Sequence, residues 1–409
     1  MESFQDVSKR TPQGAFRSGV NLTVIQVLTS LTVASDMILR VKYRRMPIEI
    51  ESPEEMGYQH LDCNLTESSV ADAILGDIDL NLQELTLCYG NHAGKPELRD
   101  LIASDSRVLK PDHFLITAGA AAALFIVSTS LLRAGERLLV VKPNYATNIE
   151  TPRAIGAFVN FLELKFEESF CVTRDSIAAQ MTPDTKVVSL TIPHNPTGCT
   201  LTRKELESIV DVVSSRNAWL LVDETYREMA FGEPLPFAAE FSPRVISVSS
   251  LSKTYGLPGI RIGWIACRDS MLMETFLAAK EQIMICNSVV DEEIAYRFLL
   301  TKKERLVQIL QKIASHFAIT RDWMNSQQYL EWVEPSGGVV CFPRIRPQRN
   351  VDIDYFYRLL NDRFKTFVGP GHWFEMDRRY MRIGYGWPDT AQLMRGLENI
   401  SRALVEAEN

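Results

Sequence analysis

The chain has 409 residues, 46% hydrophobic and 23% charged, the composition of a folded protein with two or three structural units and a substantial buried core. Its formal net charge of −7 argues against nucleic acid or a membrane surface as partner, since both call for extended basic patches. A local basic pocket for a single phosphate stays compatible with it.

Seven cysteines and six histidines form no CxxC pair and show no metal-ligand spacing. Neither disulfides nor a metal are expected, and a cytoplasmic location fits best. At the N-terminus, Lys9, Arg10 and Arg17 precede an apolar run over 20–34 that loosely imitates a signal peptide. Asn21, Thr23, Gln26, Thr29, Ser30 and Thr32 make the run too polar for a membrane span. It reads as an amphipathic arm, helical over about 22–40, packed on the body or on a partner subunit. Residues 41–51 read as a short strand or extended link. Val70, Ile74, Ile78, Leu82 and Leu85 recur at helical spacing and predict a helix over 69–87. A turn-rich loop from Tyr89 leads into a further helix with Pro96 in its first turn.

From residue 112 onward, strands and helices alternate. Short apolar, β-rich runs predict strands over 114–117, 137–142, 158–162, 186–191, 219–222, 245–248 and 260–266. Helices are predicted between them, from 119 to about 132 and over 151–156 and 203–216. The pattern implies an α/β fold with a mostly parallel sheet buried on both faces. Polar motifs follow directly on several strand ends, where open α/β sheets place ligands. After about residue 288 one or two long helices are expected over 291–324. Strands at 339–343, 366–368 and 380–385 and helices at 353–364 and 392–406 complete a smaller α+β unit. The division read from this is 1–60 for the arm and part of the small domain, 61–290 for a large domain and 291–409 for a small C-terminal domain.

The chemistry centres on Ser249-Ser250-Leu251-Ser252-Lys253-Thr254-Tyr255-Gly256, with Arg261 eight residues beyond the lysine. Lysine among small hydroxyl residues, with a guanidinium close by, suits an amine that forms an imine beside an anion site. Four further motifs sit at strand ends: Ala118-Gly119-Ala120-Ala121, Pro143-Asn144-Tyr145, His194-Asn195-Pro196-Thr197-Gly198 and Asp223-Glu224-Thr225-Tyr226. Tyr380-Met381-Arg382-Ile383-Gly384 lies near the C-terminus. Each alone is a turn, a cap or a surface arginine; together, in this order, they resemble the fold-type I pyridoxal-phosphate (PLP) enzymes, in particular the class I/II aminotransferases.

That resemblance implies the aspartate-aminotransferase-like fold, with a seven-stranded-type sheet, and PLP as cofactor. It makes Lys253 the Schiff-base lysine and proton carrier. Asp223 faces the pyridine nitrogen, and Tyr226 and Asn195 reach the ring oxygen. The backbone of Gly119, Ala120 and Ala121 holds the phosphate together with Ser250 and Arg261, while Ser252 is a helper hydroxyl. Many members carry a hydroxyl where this chain has alanine, which leaves that part of the phosphate site to backbone N–H groups. Tyr145 stacks on the ring, and Arg382, with Asn195, takes the substrate α-carboxylate. Tyr89 reaches across a homodimer to the partner's phosphate, so that the two active sites are shared. His194 is expected to be structural.

The implied activity is transamination between an α-amino acid and a 2-oxo acid. The same residues also serve β- or γ-elimination, replacement or cyclisation. The segments 143–148, 193–198 and 222–227 are similar to capreomycidine-synthase-type enzymes, which cyclise a hydroxylated arginine. The fold also serves regulators with an added DNA-binding domain, but no helix-turn-helix or basic patch is evident here. The resemblance runs from about Tyr89 to the C-terminus. The region before about residue 60 matches poorly, and it often lines the substrate pocket, so the substrate stays open.

Overall fold

The computed structural model describes residues 41–408; the arm helix expected over 22–40 lies outside them. Residues 41–46 have no regular structure. Pro47 then opens a one-turn helix, α1 (Pro47–Ile50), and Pro53 a second, α2 (Pro53–Met56). This corrects the strand predicted over 41–51: proline has a helix-compatible φ and no N–H to lose, which suits it to a first helical position. Strand β1 (Cys63–Leu65) follows.

The helix predicted over 69–87 does not form either. Only a 3-10 turn at Leu75–Asp77 breaks an irregular run. Backbone bonds that a helix would satisfy internally go elsewhere: Val70 N–H donates to Lys253 O (3.1 Å) and Ala73 N–H to Gly256 O (2.7 Å). Ile74 and Leu75 stay exposed, so the apolar spacing there buries little. Asp72, Asp77 and Asp79 are also poor helix formers.

The main sheet is built from residues 114–267. Helix α3 (Pro96–Ala103) precedes β2 (Phe114–Ala118), which runs straight into α4 (Gly119–Leu131). Then come β3 (Arg137–Lys142), α5 (Thr147–Ala154), β4 (Phe158–Glu163), α6 (Arg174–Gln180), β5 (Thr185–Thr191), α7 (Arg203–Ser215), β6 (Trp219–Asp223), β7 (Val245–Ser250) and β8 (Ile262–Cys267). The seven strands lie in the order β2-β8-β7-β6-β5-β3-β4. The neighbours among β3 to β7 pair in parallel, whereas β8 is antiparallel to both β2 and β7.

Each face is covered because each helix has an apolar side. In α7, Leu206, Ile209, Val210, Val212 and Val213 are buried, each contributing roughly 1.5–3 kcal/mol of transfer energy. Its start is a capping box: Glu205 N–H donates to Thr202 Oγ1, and Thr202 N–H to Glu205 Oε2 (2.7 Å). Helix α6 was not foreseen. It has a single buried residue, Ile177, so its sequence carries little periodic signal.

The chain continues through α8 (Ser270–Ile283), α9 (Val289–Leu300) and the long α10 (Lys302–Ser326). Strands β9 (Leu330–Glu331), β10 (Val340–Cys341) and β11 (Arg344–Ile345) are short. Helix α11 (Ile353–Arg358), β12 (Thr366–Pro370), β13 (Met381–Gly384) and α12 (Thr390–Glu406) close the fold. A second sheet has the order β1-β12-β13-β10. In it β1 pairs in parallel with β12, Cys63 opposite Thr366, so residues just beyond β1 are held against the C-terminal part of the chain. Among the described residues no helix is long and apolar enough to cross a membrane.

Candidate active site

Three parallel strands, β5, β6 and β7, end at Thr191, Asp223 and Ser250, and all three residues line one cavity of about 340 Å³. A pocket of this size suits a small cofactor with its substrate. Asp223 is 5% exposed. Its Oδ1 accepts from Thr225 N–H (3.1 Å) and from Thr225 Oγ1 (2.5 Å). Burial pushes its carboxyl above the ordinary aspartate value, and the two Thr225 donors oppose that shift. Tyr226 is also buried in the wall, and desolvation raises its phenol.

Lys253 stands on the cavity wall just past β7, with Ser252 beside it. Burial lowers the ammonium below the ordinary lysine value; nearby Glu67 works against this and Arg382 adds to it. The lysine loop is fixed from behind. Thr254 Oγ1 donates to Thr225 O (3.1 Å), tying it to the turn after β6, and Lys253 O accepts from Val70 N–H.

Ala120 and Ala121, in the first turn of α4, line the cavity beside Ser250 and Arg261. Gly119 opens that helix at φ +77°, and a Cβ there would lie 2.5 Å from Arg261 Nη2. Only glycine admits both the left-handed backbone and the guanidinium. Arg261 also donates through Nη1 to Pro258 O (2.7 Å). Free helix N–H groups, a hydroxyl and an exposed guanidinium thus converge as an anion site.

On the opposite side, Arg382 of β13 is 4% exposed. It donates to Asn195 Oδ1 (3.1 Å) and to Thr66 O (2.6 Å), and its Nε has no partner among the described residues. The guanidinium lies 5.1 Å from the centre of the Phe374 ring. Asn195 is carried by the loop after β5, which His194 stiffens from within. His194 Nε2 meets Pro143 O (2.9 Å) and Nδ1 meets Thr197 Oγ1 (2.8 Å). The carbonyl can only accept, so Nε2 carries the proton and Nδ1 accepts from the hydroxyl. Burial lowers this imidazole to about 4. Tyr145 leans on the mouth, 36% exposed. Its N–H donates to Asn144 Oδ1 (2.7 Å), which also accepts from Thr191 Oγ1 (3.1 Å) and Asn148 Nδ2 (3.2 Å).

Tyr89 is the exception among the expected residues. It is 78% exposed and does not line this cavity.

Residues without a motif complete the wall. Glu67 and Thr66, just after β1, and Ser52, Pro53 and Glu54 of the α2 region all line it, as does Trp373. Glu67 Oε1 accepts from Tyr58 OH (3.1 Å), and Tyr58 stacks on Trp387 with centroids 6.1 Å apart. No sequence signal marked these residues, because they come from the stretch that lacks family-like motifs.

The model of the aminotransferase class I and II family matches residues 61–400. Capreomycidine synthase of Streptomyces vinaceus is 29% identical over 81% of this chain and 84% of its own. A probable aspartate/prephenate aminotransferase of Aquifex aeolicus is 26% identical, over 80% of this chain and 85% of its own. The crystal structure of a PLP-dependent aminotransferase from Streptococcus suis superposes with a TM-score of 0.82 at 27% identity, covering 90% of this chain and 99% of that one. With the family model spanning most of its length, the chain belongs to the class I and II aminotransferases, enzymes that depend on pyridoxal phosphate.

Proposed function

We propose that the protein transfers an amino group between an α-amino acid and a 2-oxo acid, using Lys253 as the amine that engages the cofactor. The observation that carries this reading is the pairing of two buried, incompletely satisfied groups across one cavity. Asp223 makes no hydrogen bond through Oδ2 with any described residue, and Arg382 has its Nε unpartnered. A buried carboxylate without a cation and a buried guanidinium without a carboxylate each cost stability unless a ligand completes them. A ring N–H at Asp223 and an α-carboxylate at Arg382 are the complements.

The residues present fit pyridoxal phosphate. Ala120 and Ala121 N–H, Ser250 and Arg261 would hold the phosphate, with Gly119 leaving room for the guanidinium. Tyr226 and Asn195 would meet the ring oxygen, Tyr145 would cover one ring face, and Ser252 is a neighbouring hydroxyl. When bound, the cofactor supplies an aldehyde for the substrate amine and a ring that takes up electrons from the α-carbon. Lys253 Nζ, kept weakly basic by burial, moves the proton released at that carbon. Asp223 holds a proton on the ring side, favoured by its desolvated charge. Arg382 orients the substrate by its carboxylate, assisted by Asn195. Tyr89, pointing away from its own cavity, suits a contribution to a second subunit's site in a homodimer.

A second reading, elimination, replacement or cyclisation of a modified amino acid, draws on the similarity to capreomycidine synthase. The two part at the fate of the amino group. The yellow holoenzyme is mixed with single amino acids and no oxo acid. Transamination predicts stoichiometric loss of the yellow absorbance and release of an oxo acid. Release of ammonia or water with return of the absorbance would establish the second reading. Lys253→Ala should abolish the imine absorbance of the purified protein.

A further inference from the structure

From the charges around the cavity, we propose that the substrate side chain carries a positive charge, received by Glu67 with Glu54 behind it. This rests on the PLP reading of the site. Three cations line the cavity, Lys253, Arg261 and Arg382. In that reading each is already engaged: Lys253 by the cofactor aldehyde, Arg261 by the phosphate and Arg382 by the substrate carboxylate. Among the carboxylates, Asp223 faces the ring, and Glu49 is held by Met46 N–H (2.7 Å) at the start of α1. Glu54 and Glu67 remain.

Neither has a cation of its own. Glu67 is half-buried and receives one hydroxyl, from Tyr58. Glu54 has no hydrogen bond or ion pair with a described residue, and Arg45 pairs with Glu55 instead (3.2 Å). The two carboxylates are close enough to repel each other, and burial with that repulsion raises Glu67 above the ordinary glutamate value. The cavity they line is independently marked as a ligand site by Arg382, 4% exposed with its Nε unpartnered.

Position supports the same assignment. Thr66 O accepts from Arg382, and Glu67 is the next residue. A substrate anchored by its carboxylate at Arg382 therefore has Glu67 beside its side chain. The backbone there is clamped: a Cβ at Gly384 would lie 1.8 Å from Glu67 O, so β13 and the Glu67 segment touch main chain to main chain. Tyr58, stacked on Trp387, sets the carboxylate's direction. An ammonium or guanidinium would complete this pair with charge-assisted hydrogen bonds. A carboxylate side chain would be repelled, and a purely apolar one would leave both acids uncompensated.

The test uses the holoenzyme, first checked for imine absorbance. Dissociation constants are measured by calorimetry for α-methylornithine and α-methylnorvaline, which lack the α-hydrogen and differ at the side-chain ammonium. L-arginine and L-citrulline, near-isosteres of different charge, are compared by kcat/KM. The cationic member of each pair should be favoured by about tenfold or more, the worth of one charged hydrogen bond. Glu67→Gln should bring the two members of each pair to within about threefold of one another, with Glu54→Gln, an exposed substitution, narrowing the gap in the same direction. Equal or better binding of the neutral members, or an undiminished preference in both variants, would overturn the assignment while leaving the cofactor reading intact. Absence of imine absorbance would overturn both.

Discussion

The Nη1 of Arg382 and the amide oxygen of Asn195 lie 3.1 Å apart, although 187 residues separate them. One comes from the second sheet and the other from the loop beyond the main sheet, so the cavity is closed by a hydrogen bond between its two walls. Arg382→Lys removes the planar fork and the bond to Asn195 together. KM for the amino acid should rise on the order of tenfold to a hundredfold. Steady-state kinetics, with the oxo-acid substrate varied as well, checks this, since both carry the same carboxylate.

Asp223→Asn keeps the shape of the β6 end and its bonds to Thr225 but removes the charge. The half-reaction with an amino acid should slow by about a hundredfold or more. Stopped-flow absorbance measures it, and the pH at which the bound cofactor's imine titrates should shift in the variant. A normal rate would remove Asp223 from the chemistry.

Two buried groups give opposite pH dependences of stability. Burial raises Glu224 to about 8, so the folded protein keeps a proton the unfolded chain releases above the ordinary glutamate value. Stability from this group is greatest at low pH and falls as pH rises from about 4.5 to 8, by up to about 1.4 kcal/mol per pH unit. His194, lowered to about 4, acts the other way. Its contribution is present above about 6.5 and is lost as pH falls from there to about 4. Between about 4.5 and 6.5 the two slopes oppose. Thermal midpoints measured across this range should show Glu224→Gln losing the decline on the alkaline side, and His194→Asn losing the decline on the acid side.

Gly384→Ala should destabilise the fold by about 2 kcal/mol or more, because the added methyl meets a carbonyl that cannot yield. Denaturant unfolding reads the loss. The same variant should weaken amino-acid binding, since it displaces Thr66 and Glu67.

Much of the sheet was legible because its strands are short apolar runs ended by Gly, Pro or Asx turns. The expected run over 137–142 coincides with β3, and that over 186–191 falls within β5. The antiparallel direction of β8 was not legible: a strand buried on both faces looks the same in either orientation. The predicted helix over 69–87 failed because helical spacing was counted without asking what the apolar face would cover. Lys253, Asp223 and Arg382 stood out by motif, since their chemistry fixes residue type and neighbours. Glu67 and Tyr58 did not. They reach the cavity only because β1 pairs with β12, a contact across some 300 residues that no local pattern announces.

Ser250 and Gly263 are cross-strand partners in the β7–β8 pair. The segment 251–262, with Lys253 near one foot and Arg261 at the other, is therefore a loop whose ends are neighbours. Closing so short a loop costs little chain entropy, and the contacts that shape it are local enough to form early. The spacing between lysine and arginine is thus insulated from length changes elsewhere in the chain. Insertions in surface loops of this enzyme should be tolerated, whereas one residue added between 253 and 261 should detach the amine from the phosphate site while the rest of the sheet still folds.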